Sequence, residues 1–395
     1  MTHASTLARP SVTRPGARGR AHLPTAAALA GAVGLFAAAR LLGVAVLALA
    51  ARATGQQPLA LLGRSWDSVW YLGIAAHGYG RTLHFGDGTV QSDLAFFPLY
   101  PALVRAVTAV SPLGWGAAGL AVSWLAAVVA AGGIHALGDR LYGRTPATVL
   151  VLLWGLLPHS VVLSMAYTEP VLTAFAAWSL YAVLTGRWVW AGALAALAGL
   201  SRPNGLAVAA AVLAAAGHEA WRRRGKTVHR LWTGAALAPL GWTAYVLWVG
   251  LRTGDVPGGY FRVQRLWGSR FDLGRGSLRF VRHLLLHGDR FVFPVALLTV
   301  AAAAVLYALL LADRAPLPLL VYAGVLLLIA FGGSGFFESK PRFLLPAFPL
   351  LLPLARALAR TARARPWHAT VVVGALAGLS FGYGAYLVVL ARVPL

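Results

Sequence analysis

Only 11 of the 395 residues are acidic, so the setting of each carboxylate can be weighed separately. Asp67 stands in the run Arg64-Ser65-Trp66-Asp67-Ser68-Val69-Trp70-Tyr71, just past an apolar stretch and among aromatic side chains. A carboxylate partly withdrawn from water in this way suits general-base work; a plainer reading has Asp67 or Ser65 capping a helix that runs to His77. Glu169, in Ser164-Met165-Ala166-Tyr167-Thr168-Glu169-Pro170, lies between two apolar runs. An acid at such a level is a functional candidate by default, the alternative being a first-turn carboxylate that favours a helix dipole. Arg202, in Ser201-Arg202-Pro203-Asn204-Gly205, interrupts another apolar stretch and calls for an anionic partner or ligand. Glu338-Ser339-Lys340-Pro341-Arg342-Phe343 adds an acid and two cations, which could also be snorkelling interfacial residues. Arg40 sits deep in the first apolar run and needs either a partner on another helix or a ligand.

Other chemistries close quickly. There are no cysteines, hence no disulfide, thiolate nucleophile or cysteine-ligated metal. Gly225-Lys226-Thr227 lacks the earlier glycine of a phosphate loop, since Ala220 stands in its place, and His283 and His287 have ligand spacing without the glutamate of HExxH, Leu284 occupying that position. No metal site and no nucleotide fold is expected. A net charge of +23 would suggest nucleic acid in a soluble chain. With 59% apolar and 11% charged residues, however, the chain reads as a membrane protein whose charge sets topology, and nucleic acid is not an expected partner.

The elements that must position these residues are membrane spans of about 20 residues each. Apolar runs lie at 25–51, 115–138, 146–164, 170–185, 188–201, 204–217, 231–251, 291–312, 316–335, 342–359 and 368–391, giving an all-α, polytopic protein with about eleven transmembrane helices. The expected organisation is a disordered basic cytoplasmic arm at 1–24, then one membrane domain over 25–395 with long outer segments at 52–114 and 252–290. The first outer segment is rich in Trp, Tyr and Phe, which suits ordered interfacial helices. The second carries Arg252, Arg262, Arg265, Arg270, Arg275, Arg279, Arg282 and Arg290, fitted to anionic lipid headgroups. With the chain turning at 201–205, the basic loops at 139–144, 221–230 and 356–365 share the cytoplasmic side of the N-terminal arm. Asp67, Glu169 and Glu338 then face outward, placing an active site on the extracytoplasmic side of the cell membrane.

An outer cavity with a desolvated carboxylate, a second acid and several cations fits transfer of a group from an anionic lipid to a hydroxyl, the carboxylate acting as base. A transporter or lipid flippase with a cationic cavity is the rival reading. Trp66-Asp67-Ser68-Val69-Trp70-Tyr71, with Ala95-Phe96-Phe97-Pro98-Leu99-Tyr100-Pro101, resembles the PIG-V family of mannosyltransferases, related to the second mannosyltransferase of GPI-anchor synthesis. The resemblance continues through the runs holding Tyr167 and Glu169, Arg202 and Asn204, Arg262-Val263-Gln264 with Trp267-Gly268, and Lys340-Pro341-Arg342-Phe343-Leu344-Leu345-Pro346. It implies a GT-C glycosyltransferase that takes mannose from a polyprenyl phosphate with inversion, needing neither nucleotide nor metal nor other cofactor. The acceptor is a lipid-linked or glycan hydroxyl. Asp67 is then the catalytic carboxylate of the first outer loop, acting as general base, Glu169 positions donor or acceptor, and Arg202 holds the phosphate with Lys340 and Arg342 in reserve. Trp66, Trp70, Tyr71, Tyr167, Asn204 and Gln264 complete the implied substrate-binding set.

Overall fold

The computed structural model describes residues 25–86, 89–224 and 228–393. The basic arm at 1–24, Asp87 and the loop at 225–227 lie outside them. The chain opens with α1 (Ala26–Ala53), α2 (Pro58–Gly63) and α3 (Asp67–His77), then a hairpin of β1 (Thr82–His84) and β2 (Val90–Ser92). There follow α4 (Leu99–Val110), α5 (Trp115–Tyr142), α6 (Arg144–Gly155), α7 (Glu169–Leu184), α8 (Trp188–Ser201) and α9 (Leu206–Arg222). The second half holds α10 (His229–Leu237), α11 (Leu240–Thr253), α12 (Gly259–Leu266), β3 (Arg270–Phe271), α13 (Arg275–His287), α14 (Val292–Ala312) and α15 (Leu317–Gly332). It ends with β4 (Gly333–Ser334), α16 (Lys340–Phe343), α17 (Leu352–Ala364) and α18 (Pro366–Ala385).

The expected predominance of helix holds, and the expected count of about eleven spans is not confirmed. Among the described residues five helical segments are long and apolar enough to cross a membrane: α1, α5, α10 with α11, α14, and α18 with the turn that follows it. A sixth exists if the segment from Phe337 to Ala364, bent by 78°, is one broken span. The remaining apolar runs fold as α6, α7, α8, α9 and α15, of 12, 16, 14, 17 and 16 residues. Prolines account for part of the shortening, because the ring removes a donor and clashes with the preceding turn. The run at 146–164 contains Pro158, and α6 stops at Gly155 before a short 3-10 turn over Ser160–Ser164. Burial accounts for the apolar character. Most of α7 is enclosed by protein, so its residues serve an internal core, and hydropathy does not separate that from a lipid-facing surface.

Small residues let these helices approach closely, as they do between helices in membranes. A methyl group on Gly133 of α5 would lie 2.9 Å from Ala177 Cβ of α7. Gly192 of α8 faces Gly234 of α10 with no room for a side chain on either. Arg40 is held inside this assembly without any carboxylate: its guanidinium donates to Ser164 Oγ (3.1 Å), Ser160 Oγ (2.6 Å) and the Gly155 carbonyl (3.0 Å). It therefore satisfies the polar turn after α6, and the partner reading of this arginine is the one the contacts support.

The described residues of both long segments between spans form regular elements. The first builds α2, α3, the β1–β2 hairpin and α4; the second builds α12, β3 and α13. Pairing of β3 with β4 joins the second segment to the stretch just before α16.

Candidate active site

Four helix ends meet around two carboxylates. Asp67 is the first residue of α3 and Glu169 the first of α7. Arg202 follows the last residue of α8, and Arg342 lies in α16. The placement follows helix electrostatics, which favour anions at N-termini and cations at C-termini. Arg202 adopts an extended conformation (φ −161°, ψ 160°), so Pro203 begins a new turn and the arginine side chain is released from the helix.

Arg342 bridges the two acids. Its Nη1 donates to Asp67 Oδ2 at 2.7 Å, and its Nε lies 3.3 Å from Glu169 Oε1. Arg202 pairs with the same Glu169 oxygen and donates to Thr168 Oγ1 at 2.9 Å. Glu169 is fully buried, whereas the Asp67 side chain keeps 24% of its surface. Asp67 is thus the member of the cluster that a reactant can reach. Trp66 rather than Asp67 or Ser65 occupies the N-cap position of α3, Asp67 standing inside the helix as its first-turn acid, and Ser65 bonds back to the Leu61 carbonyl. Oδ1 of Asp67 has no protein partner among the described residues, and an oxygen so placed can accept a proton.

Aromatic rings wall the cluster. The guanidinium of Arg342 stacks 5.2 Å from the centroids of both Tyr167 and Phe343. Tyr71 lies across from Thr168, its hydroxyl 3.4 Å from Oγ1. Burial pushes its phenol up to about 12, so Tyr71 stays protonated and is no base at neutral pH. Trp66 immediately precedes Asp67 with φ 50° and ψ −116°, a conformation non-glycine residues rarely adopt. Such backbone strain concentrates at functional sites.

The remaining expected site residues divide. Trp70 stacks on Phe96 (5.8 Å) and meets Trp267 edge-on (5.1 Å), behind the cluster. Gln264 donates to the Ala95 carbonyl (3.2 Å) and to Tyr260 Oη (2.9 Å), and Trp267 donates to the Ser92 carbonyl (2.9 Å). These side chains brace the 92–97 stretch and do not reach the acids. Asn204 is buried at the turn beside Arg202. Lys340 points elsewhere: its ammonium donates to Ser277 Oγ (2.8 Å) and to the carbonyls of Gly333 (2.7 Å) and Ala330, closing the C-terminal end of α15.

Two cavities flank α3. At its far end a pocket is lined by Trp70, His77, Tyr79, Arg81 and Asp93. Asp93 clamps the turn there by accepting from the N–H groups of Gly80 and Arg81, each at 2.8 Å. The second cleft is lined by Gln56, Leu61, Ser65, Trp66, Val388 and Arg392, Trp66 being the residue before Asp67. Arg392 carries no motif signal and becomes visible only once α18 is packed against α1.

Membrane-length helices, shorter buried helices and a first outer segment that carries Asp67 make up a fold similar to that of a solved membrane protein. The crystal structure of ArnT from Cupriavidus metallidurans bound to undecaprenyl phosphate superposes with a TM-score of 0.54 at 17% identity, over 88% of this chain and 63% of that one. The apo oligosaccharyltransferase of Archaeoglobus fulgidus matches at a TM-score of 0.46 and 14% identity, over 89% of this chain and 56% of that one. The chain thus spans less than two thirds of either neighbour, and the likeness is one of fold. No family model matches the sequence, and no curated protein matches it.

Proposed function

We propose that the protein is an integral-membrane, inverting mannosyltransferase. It moves mannose from a polyprenyl phosphate to a hydroxyl of a lipid-linked or glycan acceptor on the extracytoplasmic face. The observation that carries this reading is the single guanidinium of Arg342 joining Asp67 to Glu169, which gathers the motifs at 66–71, 164–170, 201–205 and 340–346 around one partly open carboxylate. The GT-C fold supports a glycosyltransferase, and the neighbour bound to undecaprenyl phosphate supports a polyprenyl phosphate partner.

In the reaction the acceptor oxygen attacks the anomeric carbon from the face opposite the phosphate. The bond from that carbon to the phosphate oxygen breaks, and polyprenyl phosphate leaves with the electron pair. Asp67 takes the acceptor proton on its free Oδ1, while Arg342 fixes Oδ2 and so the direction of the lone pairs. Positioned charge and a positioned base supply the rate, the base alone about 10²–10⁴.

The test is an in vitro transfer assay with polyprenyl phosphate mannose and a membrane lipid extract. The expected result is an inverted mannosyl product with wild-type protein and none with Asp67→Asn. Full transfer by the variant removes Asp67 as base, and no transfer by wild type removes the mannosyl reading.

A further inference from the structure

The acid cluster has no cation to spare. Asp67 and Glu169 balance Arg202 and Arg342 charge for charge, and Lys340 is spent on the carbonyls that end α15. A leaving phosphate carries negative charge that must be met by a cation outside this balance. Arg64 lies beside Gly116 of α5 and is not part of the lining of the cleft that holds Arg392. The cleft on the other side of Trp66 has what is missing.

We propose that Arg392 forms the phosphate subsite for the lipid-borne substrate. The inference rests on the transferase reading above and names the group that receives the lipid headgroup. Arg392 is exposed, makes no ion pair among the described residues, and lines the cleft together with Ser65 and Trp66, the latter one peptide bond from Asp67. Its placement is built in. The chain leaves α18 through a π-helical turn over Tyr386–Ala391, and Arg392 then adopts a left-handed conformation (φ 46°, ψ 38°) with its N–H on the Leu387 carbonyl. Turns of this kind recur at functional sites, and a left-handed arginine is uncommon. Gln56 fastens the arrangement by donating to the Val389 carbonyl at 3.2 Å, tying the end of α1 to the end of the C-terminal span.

Depth gives the ligand its class. Two membrane-length helices, α1 and the span ending at Ala391, both terminate at this cleft. The end of a span is where the hydrocarbon region gives way to headgroups, and a prenyl phosphate presents its phosphate at that level with its chain among the helices. A free phosphate shares the charge but gains nothing from the apolar approach along α1 and α18.

The experiment measures binding directly to purified full-length protein in detergent, with farnesyl phosphate, farnesol and inorganic phosphate as probes. Wild type should bind farnesyl phosphate at least about tenfold more tightly than either of the others. Arg392→Gln should lose about tenfold for farnesyl phosphate and nothing for farnesol, while Arg392→Lys should retain most of the affinity. Because Arg392 is exposed, both variants should melt as wild type does. Unchanged farnesyl phosphate affinity in Arg392→Gln overturns the proposal, as does equal binding of farnesol. Inorganic phosphate bound as tightly as farnesyl phosphate overturns the lipid assignment. Arg392-dependent binding in a protein that transfers no mannose upholds the subsite and sinks the transferase reading instead.

Discussion

Arg342 and Asp67, 275 positions apart in sequence, form a 2.7 Å ion pair whose guanidinium also reaches Glu169. One arginine therefore sets the position of the candidate base and neutralises part of a fully buried acid. The two tasks call for different geometry, and a planar guanidinium with separate Nη1 and Nε donors meets both where a point-charge ammonium does not.

Arg342→Ala should accordingly lose both structure and activity. Removing one partner from a buried pair leaves an uncompensated charge, at a cost of about 3–5 kcal/mol. The variant should melt well below wild type in detergent. Arg342→Lys should recover part of the stability but little transfer, because a lysine cannot hold two carboxylates in the same orientation. Equal activity of the lysine variant and wild type would show that bidentate geometry is unimportant here.

Glu169 is expected to matter through its cations. Glu169→Gln leaves Arg342 with Asp67 and Arg202 with no carboxylate, so a buried positive charge goes uncompensated. Adding Arg202→Met should restore stability lost in the single variant, and the double-mutant cycle should show coupling above about 1 kcal/mol. Additive losses in thermal melting would mean that Glu169 and Arg202 do not act as a pair.

Much of this cluster was legible in the sequence, and its boundaries show why the rest was not. Asp67, Glu169, Arg202 and Arg342 stood out because ionisable groups beside apolar runs are expensive to bury. Lys340 sat in the same motif as Arg342, but α16 is only four residues long, and residues two apart on a helix leave in different directions. Gln264 and Trp267 signalled a motif without revealing that they brace the 92–97 stretch from behind. Arg392 gave no local signal at all; its significance comes from the packing of the end of α1 against the end of the C-terminal span. The span count is harder to read for a different reason: α7 is as apolar as a lipid-facing helix but is largely enclosed by other helices.

The divergence between Lys340 and Arg342 yields a direct comparison. Lys340→Met should lower the melting temperature, because the carbonyls of Ala330 and Gly333 lose their donor at the end of α15. Whatever transfer activity remains should show an unchanged KM for the lipid donor. A rise in donor KM without loss of stability would assign Lys340 to phosphate binding after all.

Packing away from the acids should also reach the site. Gly192 on α8 touches the backbone of Gly234 on α10, and α8 ends at Ser201, where Arg202 is launched toward Glu169. Gly192→Ala places a methyl group where the Gly234 carbonyl already lies, and backbone cannot yield as a flexible side chain does. The helices must separate, at a cost of about 1–3 kcal/mol, and Arg202 must shift with α8. Both melting temperature and transfer should fall. Gly217 on α9 provides the control, since a methyl group there meets nothing within 4 Å. Gly217→Ala removes the entropic penalty of a helix-interior glycine and should stabilise by about 0.5–1 kcal/mol with transfer unchanged. If the two substitutions behave alike in thermal melting and in the assay, close packing of α8 on α10 does not position Arg202.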